Sequence, residues 1–531
     1  MRTSPLGAGG ALVDLLAVLG CGWLGLRRGQ DMSWDLLSYH YEYPWTLFHQ
    51  GLGSVDPEPF ANRYLNPLAQ LPWYGLERLL APKPATFAIA LLAGLNLLLI
   101  RRIAGLILPS RVQGWRRLAL TSIAVALGAS GTVFRTELGM SLADVIVSLP
   151  FLAGLLAVLT RGSSARRGDL LVVLGGVGSG VATAAKLTMA PFTIGLLAAV
   201  VVTAGLDRRW RRLPLHFAGI VAGVAAAGGW WYIAVWRTVG NPFFPYYNQV
   251  FRSPLFPSVS LRDARYGPRG LLDALHYPLY MAQGTSRLQE VYLRDPRWVV
   301  LCICVVAALF ALAGRLLRRP AGTRSCRSAS LDSLQAHRPH VALVVCFAVS
   351  SGVWLFQFGI ARYAVTSELL VGPLLVGCLC VLLCRRVVVS FVAGLALCVA
   401  MLPWTDLGGY VHAPFARDRF GVQAAPLRAV PPGSIVVATS GPPSGFLLTY
   451  LPFGVERHQI HPYFYGSQLL RDLEHRMSVA PANYVLSGRP TKRQVAVLRR
   501  QVGLQEDVSS CQAVRSHSGT RWLCRAVWVG P

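Results

Sequence analysis

The chain has 531 residues, with 51 Lys and Arg against 24 Asp and Glu; its formal net charge is +27, yet 53% of it is hydrophobic, only 14% is charged and its mean hydropathy is +0.45. Soluble domains carry about 25% charged residues, and apolar runs of membrane-spanning length recur here, which excludes a soluble enzyme, a disordered chain and a disulfide scaffold. The arginine excess sits in short clusters between apolar runs, as in cytoplasmic loops, so no nucleic-acid partner is expected.

In chain order, the first predicted span covers residues 7–26 and no small-residue cleavage site follows it. Residues 27–84 mix Trp, Tyr, Pro and acids and read as a structured loop with short interfacial helices. Apolar runs follow at 85–100, 118–134, 142–160 and 170–206. The last is too long for one span and is interrupted by Lys186, so it reads as two short spans turning there. Further runs at 215–236, 298–314, 341–358, 366–384 and 387–403 complete an all-α polytopic membrane protein of about 11 transmembrane helices. Within the 170–206 run, Gly175-Gly-Val-Gly-Ser-Gly180 is read as a helix-packing surface and not as a phosphate loop.

The tail contains a β-like run, Ser434–Thr439, a helix-like Thr491–Arg500 and a final alternating run, Thr520–Val529, giving a small C-terminal α/β extramembrane domain. The expected division is a membrane domain at 1–404, carrying the outer loops 27–84 and 237–297, and an outer-face domain at 405–531. The loops at 101–117, 161–169, 207–212, 315–340 and 385–386 are rich in Arg and claim the inner side; Arg27–Arg28 is the one misfit. The loop after the first span and the tail then share the outer side. Eight cysteines lie in apolar runs and are read as small hydrophobes. Cys326 belongs to a basic inner loop and is expected reduced, which leaves Cys511 and Cys524 as the pair able to bridge in an oxidising compartment.

Ionisable residues at the ends of apolar spans cost free energy and mark candidate function. On the outer side the first loop offers Asp31, Asp35, Tyr39, His40 and Glu42; the second offers Arg135 and Glu137, with Asp144 beyond; the third offers Lys186; and a later one offers Arg362 and Tyr363. Each has a plainer reading: Asp35 as a helix cap, Glu137 as the partner of Arg135, Arg362 as a cation snorkelling to the interface. Four such turns on one side favour a shared site.

Several segments together resemble the GT-C superfamily of integral-membrane glycosyltransferases, and most closely a bacterial branch of it. They are Trp34-Asp35-Leu-Leu-Ser-Tyr39-His40 with Asp56-Pro57 and Asn66-Pro67-Leu68; Glu137-Leu-Gly139 with Asp144; Gly180 to Thr188 around Lys186; Gly240-Asn-Pro-Phe-Phe-Pro-Tyr-Tyr247; and Arg362-Tyr363. The resemblance covers about the first 400 residues and implies a polyprenyl-phosphate-linked sugar donor, a bacterial inner-membrane location and an active site on the outer face. It implies a catalytic acid in the first outer loop, where Asp35 matches best and Asp31 is the rival. Many relatives have two adjacent acids there, whereas three residues separate these two, which leaves open which is the base and whether a divalent metal takes part. Lys186 and Arg362 fit the donor phosphate, while Tyr39, His40, Arg135, Glu137, Asp144 and Tyr363 are supporting or acceptor-side candidates. The acceptor, whether glycan, lipid or protein, is not specified. The alternative readings are a transporter or lipid-linked-sugar flippase, which would place its charges near the bilayer midplane between repeats, and a noncatalytic assembly protein presenting the tail to a partner.

Overall fold

A computed structural model describes residues 5–51, 55–110, 112–259, 261, 263–317, 337–383, 386–405, 409–439 and 441–530. Cys326, Cys384, Arg385 and most of the basic loop at 315–340 lie outside the described residues. All the apolar runs fold as helices: α1 (Pro5–Arg28), α2 (Pro82–Ile107), α3 (Gly114–Ala129), α4 (Asp144–Leu159), α5 (Ala165–Ala185), α6 (Ala190–Asp207), α7 (Arg212–Val224), α8 (Arg297–Leu317), α9 (Arg338–Gln357), α10 (Val365–Leu382) and α11 (Val387–Met401). A π-helical turn, Ala225–Gly229, follows α7 and leads into the helix Trp230–Val239. Nine helical segments among the described residues are long and apolar enough to cross a membrane. The other two, α3 and α4, have 16 residues each, or about 24 Å of helix. The run at 118–134 breaks at Ser130 and Gly131, and the Glu368 carboxylate accepts hydrogen bonds from the Val133 and Phe134 amides at 3.1 Å each in the first turn of the short helix Thr132–Thr136 that follows. There it presses so closely on Gly131 that a Cβ would lie 1.6 Å from its oxygen.

The contacts divide the chain into two compact units, one of 1–27, 87–227 and 263–410, the other of 28–86, 228–262 and 411–531. The first is the helical unit. Its α5 is seamed with glycines, and a Cβ on Gly176 would stand 2.2 Å from the His216 carbonyl, one on Gly180 2.3 Å from that of Ile220. Small residues thus let α5 and α7 backbones touch, and the glycine run is a packing surface. Arg297, fully buried, pairs with Asp295 at 2.5 Å and Glu368 at 3.2 Å and donates to the Gly128 carbonyl at 3.2 Å. This knot ties the start of α8 to the end of α3 and the first turn of α10.

The second unit holds the tail's sheet: β1 (Ile435–Thr439), β2 (Glu456–Ile460), β3 (Asn483–Ser487), β4 (Leu504–Glu506), β5 (Gln512–Ser516) and β6 (Gly519–Trp528). The order is β2-β1-β3-β6-β4, with β1 parallel to β2 and β3, and β6 antiparallel to β3, β4 and β5. Helices Gln468–Val479 and Lys492–Val502 cover its apolar face through Leu470, Leu473, Leu498 and Val502. Cys511 and Cys524 form a disulfide beside the β5–β6 hairpin.

The compact units cut across the division read off the sequence: the first loop and residues 228–262 share a core with the tail, in which Leu47, Tyr64, Trp231, Phe244, Phe464 and Leu469 are all buried together. Residues 263–297, expected in the same outer loop as 237–262, belong instead to the helical unit. The segments are distant in sequence because each apolar patch is too small to be buried within its own loop, and only their sum makes a core.

Candidate active site

The candidate residues fall in two groups, one in each unit. In the helical unit, α5 ends at Lys186, whose backbone turns extended (φ −148°, ψ 114°) before α6 begins. Its ammonium lies 2.7 Å from the Asp144 carboxylate at the first residue of α4 and donates to the Leu142 carbonyl at 2.9 Å. It stands 5.6 Å from the centre of the Tyr363 ring, and the Arg362 guanidinium lies 5.1 Å from the same ring while donating to the Tyr363 hydroxyl at 3.2 Å. Such approaches of cations to an aromatic face are attractive. Glu137, buried in the turn before α4, faces Asp144, Lys186 and Arg362; burial, and next the Asp144 charge, push its carboxyl well above the usual range. Two cations, Lys186 and Arg362, thus stand against the Glu137 and Asp144 carboxyl groups.

Arg135 is not part of this group. It donates to the Thr405 hydroxyl at 3.0 Å and faces the Arg297 knot, so the expected pairing with Glu137 does not form.

In the second unit, residues 30–31 pair antiparallel with His412–Ala413, and the Asp31 carboxylate accepts the Ser33 amide at 2.8 Å. Asp35 opens a single π-helical turn, Leu36–His40, with helical backbone angles and no capping bond from its side chain, which sets aside the capping reading. Such turns disturb the regular helical ladder and recur at functional sites. Asp35 is 8% exposed, against 1% for Asp31, so of the two acids it is the more reachable. Tyr39 packs edge-on to His40 at 4.4 Å, with Tyr43 and Phe60 on its other sides.

A cluster of which the sequence reading named only Glu42 lies behind this turn. Buried Arg63 stands 3.3 Å from Glu42 and 3.6 Å from Glu58. Burial pushes the Glu58 carboxyl up to about 8 and the Glu42 carboxyl above its ordinary value, opposed in both by Arg63. One guanidinium cannot neutralise two buried carboxylates, so the pair retains a proton near neutral pH. The tail closes the arrangement: Glu58 accepts the Gln459 amide at 2.8 Å, and the Gln459 side chain donates to the Ser38 carbonyl inside the π-helical turn at 2.9 Å. The paired signs at positions 42, 58 and 63 were visible in the sequence; their contact with residue 459 was not. Among the described residues no group of three or more His, Cys, Asp or Glu side chains stands placed to hold a metal ion.

No family model and no curated protein matches the sequence. Solved structures do match in three dimensions, among them two of one protein. The crystal structure of ArnT from Cupriavidus metallidurans in the apo state aligns with a TM-score of 0.53 at 14% identity, over 97% of this chain and 98% of that one. The structure of the same protein bound to undecaprenyl phosphate aligns with a TM-score of 0.44 at 14% identity, over 99% and 100%. The first alignment shows that the chain shares the fold of that ArnT structure. With its apolar helices, the chain is a multi-pass membrane protein.

Proposed function

We propose that the chain transfers a sugar from a polyprenyl-phosphate carrier to an acceptor hydroxyl at the outer face of a bacterial inner membrane. The observation that carries the reading is the pair of cations, Lys186 and Arg362, gathered on the Tyr363 ring beside Glu137 and Asp144. The GT-C-like motifs and the ArnT fold support it. In this reading the acceptor oxygen attacks the anomeric carbon as its bond to the donor phosphate breaks, and the polyprenyl phosphate leaves with the electron pair. Lys186 and Arg362 stabilise the charge that develops on that phosphate. Asp144 and the Leu142 carbonyl hold Lys186 in place, and Tyr363 supports both cations.

Asp35 takes the acceptor hydroxyl's proton, with Asp31 as the alternative base. Tyr39 and His40 shape the turn that presents Asp35. No step is routed through a metal. The test is incubation of purified protein with a panel of labelled polyprenyl-phosphate sugars. Asp35→Asn keeps the shape and removes the basicity, so turnover should vanish while donor binding stays within about twofold of wild type. Near wild-type transfer by a folded Asp35→Asn protein would move the base to Asp31, and full activity in the double variant would remove the first loop from catalysis.

A further inference from the structure

At the ends of α4 and α5 remote from Lys186, about 30 Å away along the 21 residues of α5, the helical unit contains a polar cavity of about 660 Å³. Arg161, Arg209, Arg212 and Arg338 line it, with Asp207 as the one lining carboxylate among the described residues, and Ser163 and Ser164 lie in the same wall. Nearby carboxylates are already shared. Asp207 serves both Arg212 and Arg338, the latter at 3.1 Å, while Asp169 serves Arg211 and, at 3.5 Å, Arg212. Arg338, itself buried, donates to the Val158 carbonyl at 3.2 Å and meets the like charges of Arg212 and Arg161.

Like charges gathered around a cavity repel one another, and an anion bound among them offsets that repulsion. The buried guanidiniums are held in fixed orientations, the preorganised form that suits planar, bidentate contacts to phosphate oxygens. The amides at the start of α5 open beside the same wall, where the Ser164 side chain already accepts from the Arg167 amide at 3.2 Å. Gly168 leaves room for the Arg212 guanidinium, which a Cβ there would approach to 2.9 Å.

We infer that this cavity binds a phosphate group of net negative charge, supplied by an anionic lipid headgroup or by free phosphate, at a site separate from the one proposed for sugar transfer. Basic recesses between spans on the arginine-rich side suit such headgroups. The site is independent of the transferase reading.

The test uses the full chain in detergent, titrated with dioleoylphosphatidylglycerol, dioleoylphosphatidylcholine or inorganic phosphate, with bound ligand counted by native mass spectrometry. The double variant Arg161→Gln/Arg209→Gln removes two cations and leaves the buried Asp207 pairs intact. Each charge contributes roughly fivefold, so phosphatidylglycerol should bind at least tenfold more tightly than phosphatidylcholine and lose about 25-fold in the double variant. Binding of phosphatidylglycerol alone identifies the lipid source. Binding of inorganic phosphate that the double variant abolishes identifies the free anion. Equal retention of both lipids with no phosphate bound would overturn the inference. So would unchanged binding of all three ligands in a double variant that melts as the wild type does; if that variant fails to fold, Arg209→Gln alone carries the same comparison with a fivefold loss.

Discussion

Lys186 is asked to do two things, and they separate experimentally. Its ammonium is 2.7 Å from Asp144, with the two side chains 18% and 3% exposed. At an effective dielectric of about 20 the pair attracts by about 6 kcal/mol, much of it offset by desolvation of both groups. Lys186→Met therefore leaves a buried carboxylate without its cation and should cost about 3–5 kcal/mol of stability. Asp144→Asn/Lys186→Met removes both charges and should recover most of that loss. Donor binding should not recover, because the cation offered to the phosphate is still missing. Thermal unfolding of the purified protein measures the first effect, and titration with a polyprenyl phosphate measures the second. A single variant as stable as wild type would refute the structural part. A stable double variant that binds polyprenyl phosphate with wild-type affinity would refute the assignment of Lys186 to the donor.

Three further outcomes are expected. Glu58, held up at about 8 mainly by burial, keeps in the native state a proton that the unfolded chain releases above its ordinary value of about 4.5. Its share of stability is thus complete below that value and lost as pH rises towards 8, by no more than about 1.4 kcal/mol per pH unit; Glu58→Gln should flatten the fall in melting temperature over this range, and an unchanged slope would exonerate Glu58. Gly445→Ala places a Cβ 1.8 Å from the Ser38 carbonyl, so it should destabilise by about 1–3 kcal/mol and lower sugar transfer from a position remote in sequence from Asp35; an inert substitution would show that the tail does not brace that turn. Val479→Cys, highly exposed in the tail, should react with a membrane-impermeant maleimide on intact cells, whereas labelling only after the inner face is opened would reverse the topology and move the proposed reaction to the other side.

Where local chemistry decides structure, the sequence was readable. Lys186 broke an apolar run because a cation at that depth must reach a partner, and the helix does end there. Thr491 followed by Gln494 forms a capping box at the start of Lys492–Val502, so the predicted helix begins within a residue of its observed start. The run expected at 142–160 is helical over Asp144–Leu159, whereas the break at Ser130 and Gly131 in the run at 118–134, beside the Glu368 carboxylate, was not readable. Hydropathy averages over such events: Glu368 looks like one acid in an apolar stretch until its two amide partners are known.

The site divides along the same line. Residue type and position on the outer side brought Glu137, Asp144, Lys186, Arg362 and Tyr363 onto one list, and they do meet, because the ends of consecutive antiparallel spans return to the same depth. Arg135 has the same credentials and points elsewhere; one residue of helical rotation is enough to turn a side chain by about 100°. The tail's part in supporting the Asp35 turn left no mark that a single sequence could reveal. Gln459 and Gly445 are ordinary in composition, yet one donates to the Ser38 carbonyl and the other lacks the Cβ that would strike it. Backbone carbonyls carry no residue identity, so contacts to them are invisible to pattern reading. Here such contacts join a segment of the first loop to a strand more than 400 residues away. A π-helical turn that departs from the regular ladder needs external donors for its displaced carbonyls, and Gln459 supplies one. That requirement gives the C-terminal sheet a structural part in the turn that carries Asp35.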